Sequence, residues 1–185
     1  MTPNELYKAL NDVNHSREKR TEMAQLINTH KELVAPLIDI AFSVDDKISP
    51  RACWVLEFTA KEQLHFIFPY LEEFTRNLSS VYNDSAVRPV AKICEYLTLS
   101  YFKKKDPESI KFLTNTYLER ITSACFDWLI GDHKVAAQAY SMTSLLLLGE
   151  KFKWVHPELK LVLEQNYNNG SAAYKARARQ TLAKL

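Results

Sequence analysis

The chain has 185 residues, 46% of them hydrophobic and 25% charged. These values are typical of a soluble globular protein that is long enough to bury about 70% of the surface of its unfolded chain. Only three glycines are present, where an average composition would give about thirteen, and this scarcity excludes the glycine-rich phosphate loops of nucleotide-binding sites. The formal net charge of +2 does not indicate a general nucleic-acid binder.

Apolar residues recur at steps of three and four throughout the chain, as in Ile67, Leu71, Phe74 and Leu78. This spacing places them on one face of an α-helix, and no segment alternates in the way a strand would. The pattern predicts helices over residues 3–13, 16–29, 31–43, 49–60, 62–81, 84–104, 107–130, 133–151, 157–168 and 171–184. We therefore expect an all-α protein.

Short polar residues stand where several of these helices should begin. Asp45, Asp84, Asp132 and Ser171 precede apolar helical patterns, and their side chains can accept the free amide protons of a first helical turn. Asp106 is followed by a proline, which is well tolerated in the first turn. We expect all of these residues to be helix caps.

The four caps also mark a repeat. The fourth position counted from each cap is Ile48, Val87, Val135 or Tyr174, and the eighth position is Ala52, Ala91, Ala139 or Ala178. The caps are 39, 48 and 39 residues apart. A cap, an apolar residue and a small residue one turn later describe a helix that packs closely on its neighbours. A period near 40 with two helices in each unit is typical of a stacked helical array.

The repeat resembles the HEAT-repeat family, whose second helix opens with Asp-x-x-Val-Arg-x-x-Ala, here Asp84, Val87, Arg88 and Ala91. Its proline-containing first helix is echoed around Pro36, Pro69 and Pro157. The resemblance implies one domain over residues 1–185, a right-handed α-solenoid with N-terminal capping helices over 1–29 and four hairpins over 30–185. The sequence departs from the pattern in the third unit, where Ala136 replaces the arginine, and in the first unit, where the arginine shifts to Arg51.

A second resemblance is to short bacterial HEAT-like proteins that sometimes carry an adenylosuccinate lyase label. True lyases of that kind are much longer and contain a loop of the form Ser-Ser-x-Met-Pro-x-Lys-x-Asn-Pro. That loop does not occur in this sequence. We therefore do not expect lyase activity.

Little in the sequence indicates catalysis or metal binding. The three cysteines are far apart within apolar helical patterns, which favours buried free thiols in a reducing compartment. Glu62 and His65 form a single Glu-x-x-His pair, whereas a di-iron helical bundle needs two such pairs. We predict no catalytic residue, no metal and no cofactor.

The candidate binding residues lie on the second helices of the predicted hairpins, which line one surface of a helical array. Six are basic and one is aromatic: Arg51, Trp54, Arg88, Lys92, Lys175, Arg177 and Arg179. Such a surface can hold phosphates or an acidic peptide. The alternative is structural. Arg88 would then tie one repeat to the next or pair with Asp84, and Trp54 would belong to the core.

Two functions follow. The first is a non-catalytic scaffold or adaptor that binds a protein or peptide partner. The alternative is a nucleic-acid-binding protein that resembles, in build, the HEAT-like alkylpurine DNA glycosylases. The N-terminus lacks the apolar core of a secretory signal, and the longest apolar run is Leu145–Leu148, far shorter than the roughly 20 residues that span a bilayer. We expect a cytoplasmic protein with no membrane partner.

Overall fold

Eleven α-helices and no β-strand make up the computed structural model, which describes residues 1–185. The prediction of an all-α protein is thereby confirmed. The chain divides into two compact units, Met1–Ile93 and Cys94–Leu185. The helices are α1 (Pro3–Leu10), α2 (Arg17–Thr29), α3 (Val34–Phe42), α4 (Ser49–Glu62), α5 (Leu71–Arg76), α6 (Asp84–Thr98), α7 (Pro107–Phe112), α8 (Asn115–Ile130), α9 (Val135–Leu148), α10 (Val155–Tyr167) and α11 (Ala172–Leu182).

Each unit is built around one central helix. In the first unit α4 packs against α2 and α3, and in the second unit α9 packs against α8, α10 and α11. Both central helices are buried on more than one side because small residues allow neighbours to approach, such as Ala52 and Ala60 on α4 and Ala137 and Ser141 on α9, all at most 1% exposed. No helix combines the length and the apolar composition that a membrane crossing requires.

Two predicted long helices are interrupted. The helix predicted over 62–81 is a 3-10 segment (Leu64–Tyr70) followed by the short α5. Pro69 lies in that segment, and proline both lacks an N–H group and disfavours α geometry in the residue before it. The helix predicted over 107–130 breaks into α7 and α8, because Leu113 leaves helical geometry and the Thr114 side chain accepts from the amide of Tyr117.

The helix predicted over 84–104 changes its geometry near its end. Regular α structure stops at Thr98 and continues as a π-helix over Leu99–Lys104. Lys105 ends it with a φ of 53°, the only positive φ in the chain outside glycine. The Asp106 side chain then accepts from the amide of Ser109 at 2.8 Å and caps α7, as predicted.

Of the four caps that define the repeat, only Ser171 is confirmed, with its hydroxyl 3.2 Å from the amide of Tyr174. Helix α6 begins at Asp84 itself, and Asn83 before it accepts from the amide of Ser85. The predictions for the other two caps are also wrong. Asp45 accepts a hydrogen bond from the hydroxyl of Tyr82 instead. Asp132 lies in the turn before α9, which begins after Lys134 without a side-chain cap.

The fourth and eighth positions from each predicted cap are buried in three of the four repeats, as the pattern predicts. Ile48, Ala52, Val87, Ala91, Tyr174 and Ala178 are all at most 4% exposed. In the third place Val135 and Ala139 are only partly buried. Because α9 begins after Lys134, the positions equivalent to Tyr174 and Ala178 are Ala137 and Ser141, two residues later than predicted.

Candidate functional site

Glu57 and Arg88 form a charged pair inside the first unit. Glu57 lies on α4, in the turn after Trp54, and only 7% of it is exposed. The Arg88 side chain reaches it from α6, with Nη2 donating to Oε2 at 2.8 Å and Nη1 to Oε1 at 3.4 Å. This two-point geometry suits a planar guanidinium facing a carboxylate. Arg88 therefore ties one second helix to the next, as the structural alternative predicted.

Trp54 is held beside this pair by contacts on several sides. Its indole N–H donates to the carbonyl of Ser85 at 2.7 Å, and only 7% of the residue is exposed. The guanidinium carbon of Arg20 lies 4.7 Å from the centre of its ring. The His15 ring lies 4.9 Å away, centre to centre. Trp54 is thus covered, and its ring is not a platform on which a ligand could stack.

Arg20 reaches the cluster from α2. Its Nη2 donates to the carbonyl of His15 at 2.8 Å and its Nε to that of Asn14 at 3.5 Å. Its Nη1 and the Nε of Arg88 have no acceptor within the protein. Both guanidinium groups are only partly buried, so these donors are available to an external acceptor.

The cluster has more positive than negative charge. Burial raises the pKa of Glu57, although the nearby charges of Arg88, Arg20 and Lys92 act to lower it. Burial also lowers the pKa of Arg20, and the charge of Arg88 adds to that effect. Arginine stays protonated at any physiological pH. Arg88 contacts the one carboxylate of this group and the charge of Arg20 acts on it from α2, so an anion bound beside the two arginines would reduce their mutual repulsion. We refer to Arg20, Trp54, Glu57 and Arg88 as the α4 cluster.

The other candidate binding residues predicted from the sequence do not belong to the α4 cluster. Arg51 on α4 donates to the backbone carbonyl and, at 3.1 Å, to the side-chain oxygen of Asn11. It therefore holds the end of α1. Lys92 on α6 is partly buried and contributes to the field at Glu57.

Lys175, Arg177 and Arg179 lie on α11 in the second unit. Residues two apart on a helix point in different directions, whereas residues four apart share a face. Lys175 and Arg179 therefore share a face that Arg177 does not. Arg179 lines a small surface depression together with Tyr167 and Leu182.

Sequence reasoning missed Glu57, Arg20 and His15. An acidic residue three positions after Trp54 in an otherwise apolar helix was a usable signal for Glu57. Arg20 and His15 carry no such signal, because they lie in and before a predicted capping helix and are brought to Trp54 only by the packing of α2 on α4.

A cleft of the second unit has a volume of about 660 Å³. It lies where α9 and α11 begin and is lined by polar side chains, among them Lys134, Gln138 and Asn166. Tyr174 also lines it, and burial raises the pKa of this tyrosine. No three histidine, cysteine, aspartate or glutamate side chains converge in either unit as a metal site would require.

The chain was compared with protein families, with functionally characterised proteins and with solved structures. The model of the HEAT repeat domain family matches residues 7–185. No characterised protein and no solved structure matches. Helical repeats of this family form scaffolds that often mediate interactions. The match takes in nearly the whole length, including α2 and the end of α1, and the chain therefore belongs to the HEAT repeat domain family.

Proposed function

We propose that this protein is a non-catalytic scaffold that binds an acidic segment of a protein partner at the α4 cluster. One observation carries the proposal: Arg88 pairs with the buried Glu57, the charge of Arg20 also acts on that carboxylate, and each arginine keeps a donor with no acceptor in the protein. A carboxylate from a partner would accept from these donors and offset the surplus charge. Charge-assisted hydrogen bonds of this kind are about twice as strong as neutral ones.

The arrangement favours binding over chemistry. Glu57 is already held at two points by Arg88, and Trp54 is covered by Arg20 and His15. General acid–base catalysis needs a carboxyl that can reach a substrate and exchange a proton with it. The accessible parts of the cluster are the guanidinium edges, which supply directional hydrogen bonds to an anion.

Partner capture tests the proposal with a variant in which the positive charge of Arg20 is removed. The intact protein and Arg20→Gln are immobilised and exposed to lysate from the source cells, and retained proteins are eluted with salt. We expect a set of acidic proteins retained by the intact protein and by the control Lys61→Gln, and lost with Arg20→Gln. Equal retention by both variants, or retention of nothing above background, would contradict the proposal.

A nucleic-acid partner is the second candidate. The observation that favours it is the same placement of two arginines beside a buried acid, whose free donors could bind phosphate oxygens as well as carboxylates. Phosphates would replace the partner's carboxylates, and binding would weaken by about 0.9 in log K per log salt for each phosphate contact.

Titration with labelled duplex DNA at several salt concentrations separates the two candidates. Steep salt dependence, with a slope reduced by about one in Arg20→Gln, would favour nucleic acid. No binding at the lowest salt concentration would remove this candidate and leave the protein partner.

A further inference from the structure

A second basic surface lies in the second unit, on the two segments 99–106 and 149–155. The Lys103 ammonium is 3.1 Å from a carboxylate oxygen of Glu150, and the Lys151 ammonium is 5.9 Å from the centre of the Tyr101 ring. These contacts bring the end of the π-helix beside the turn between α9 and α10. Five exposed lysines meet there beside an exposed tryptophan: Lys103, Lys104, Lys105, Lys151, Lys153 and Trp154. We call these six residues the lysine–tryptophan surface.

Its charge is concentrated. The two segments contain five lysines and two acids, Glu150 and Asp106, which leaves +3 in fifteen residues, compared with +2 for the whole chain. Glu150 pairs with Lys103, and Asp106 caps α7. Lys104, Lys105 and Lys153 extend into solvent with no protein partner. The surface is therefore positive by itself, although the protein is nearly neutral.

Trp154 is exposed but fixed. Its side chain stacks on Phe126 with ring centres 5.7 Å apart and an angle of 23° between the planes, and 57% of the residue remains exposed. Ile130 follows Phe126 by one turn on α8 and is 60% exposed, and Leu161 follows Trp154 by two turns on α10 and is 47% exposed. Helical spacing places each on the same face as the residue it follows. Exposed apolar side chains thus flank the lysines.

We propose that the lysine–tryptophan surface binds peripherally to membranes that contain anionic lipids. Lysines near such a surface gain from its negative potential, and tryptophan prefers the level of the lipid headgroups. Exposed aliphatic residues such as Ile130 and Leu161 enter the boundary between headgroups and acyl chains when a protein lies on a bilayer. The lysines would contact the phosphates and carboxylates of the headgroups while Trp154 enters the interface.

Two features favour a membrane over a nucleic acid. All five cations are lysines, which act as flexible point charges and suit a diffuse negative surface, whereas arginine is the usual residue for directed phosphate contacts. The aliphatic neighbours have no counterpart in a sugar–phosphate backbone, but a lipid interface would bury them. The sequence-based expectation of no membrane partner rested on the absence of a spanning segment and does not bear on surface binding.

Co-sedimentation with vesicles tests the proposal. We expect the protein to sediment with vesicles of phosphatidylcholine and phosphatidylserine, to stay in solution with phosphatidylcholine alone, and to be released by salt. Trp54 and Trp128 are 7% and 3% exposed, so a blue shift of the tryptophan fluorescence on binding would come from Trp154. We expect Trp154→Phe to lose that shift. Absence of sedimentation, or equal sedimentation with both vesicles, would overturn the proposal.

A double variant locates the surface. Lys104→Gln with Lys153→Gln removes two lysines that make no protein contact, and its thermal unfolding should match that of the intact protein. Each lysine near an anionic surface is worth about fivefold in binding, so we expect the double variant to bind about twenty-five-fold more weakly. The matched control is Lys8→Gln with Lys61→Gln, two exposed lysines of the first unit. An equal loss in the control would overturn the proposal.

Competition with a single-stranded oligonucleotide is a separate test. If the oligonucleotide displaces the protein from vesicles and binds it more tightly, the surface binds nucleic acid and the proposal is overturned.

Discussion

Replacing Arg88 with methionine leaves the carboxylate of Glu57 buried without its main partner. Removing one member of a buried ion pair costs about 3–5 kcal/mol, because an uncompensated charge remains in a medium of low dielectric constant. Two features reduce that cost here. The Arg88 side chain is 31% exposed, so water can replace part of it, and Arg20 remains near Glu57. We therefore expect Arg88→Met to lower the free energy of unfolding by about 2–3 kcal/mol.

The companion variants separate the charge effect from the loss of packing. Methionine keeps most of the aliphatic stem of Arg88, and glutamine keeps the shape of Glu57. If the unpaired charge causes the loss, the double variant Glu57→Gln, Arg88→Met should be about 1–2 kcal/mol more stable than Arg88→Met alone. A double variant that is less stable than Arg88→Met would refute the reasoning, because the loss would then come from packing.

The pH dependence gives an independent check. Burial raises the folded-state pKa of Glu57 above its ordinary value of 4.5, so between these two values the folded protein binds more protons than the unfolded chain. Stability from this group therefore falls as pH rises through that interval. Loss of the Arg88 charge raises the folded-state pKa further. The cost of Arg88→Met should accordingly shrink as pH is lowered from neutrality towards 4.5, and in the Glu57→Gln background this change should vanish.

Urea unfolding followed by far-ultraviolet circular dichroism measures these differences. A matched control is Arg76→Met, which breaks an i,i+4 pair with Glu72 whose side chains are 66% and 45% exposed. Exposed pairs of this kind contribute at most about 0.5 kcal/mol. If Arg88→Met and Arg76→Met lower the free energy of unfolding by the same small amount, the pair of Glu57 and Arg88 does not act as a buried ion pair.

Three further predictions concern single side chains. A methyl group at Gly149 would lie 1.8 Å from Cδ2 of His156, so Gly149→Ala should cost about 1–3 kcal/mol of stability in urea unfolding, and His156→Ala in the same chain should recover part of it. Thr114→Ala removes the cap of α8 and should cost about 1 kcal/mol in the same assay. Burial raises the pKa of Cys53 and of Cys125 to about 12, so iodoacetamide at pH 8 should modify the native protein about a thousandfold more slowly than the unfolded chain.

Each of these predictions has a result that would contradict it. An unchanged or raised stability of Gly149→Ala would mean that the His156 ring moves away without cost. Thr116 is exposed in the first turn of α8, and a loss in Thr116→Ala as large as that in Thr114→Ala would show a general effect of threonine removal. Mass spectrometry measures the rate of iodoacetamide labelling. Rapid labelling of the cysteines in the native protein would show that the core opens far more often than its packing implies.

Sequence rules predicted the helix starts correctly where the signal lies within one helical turn. Ser171 and Asp106 cap their helices as predicted, because capping depends only on residues within one turn. The break at Thr114 was missed because the apolar spacing continues across it. Asp132 was taken as a cap because its residue type fits, but α9 starts two residues later than that cap implies, and this moves the third repeat out of register by two residues.

The candidate site was predicted only in part. Trp54 and Arg88 were named from the repeat pattern, and Arg88 was considered as a tie between repeats. Its partner Glu57 was not named, and neither was Arg20. The pair of Glu57 and Arg88 and the contact of Arg20 with Trp54 each join helices that are distant in sequence, and the first two residues are 31 positions apart. Neither residue spacing nor composition encodes which side chains such helices bring together.

The sequence by itself determined the helical character, the family and the buried columns in three of the four repeats. The helical character and the columns follow from periodicity and small residues, which act through each helix separately, and the family resemblance follows from the motif that begins at Asp84. Only the tertiary structure decided that Arg20 covers Trp54, that Arg88 pairs with Glu57 and that two lysine-rich turns meet beside Trp154. Charge and exposure belong to surfaces assembled from several helices, and the packing of those helices fixes which residues share a surface.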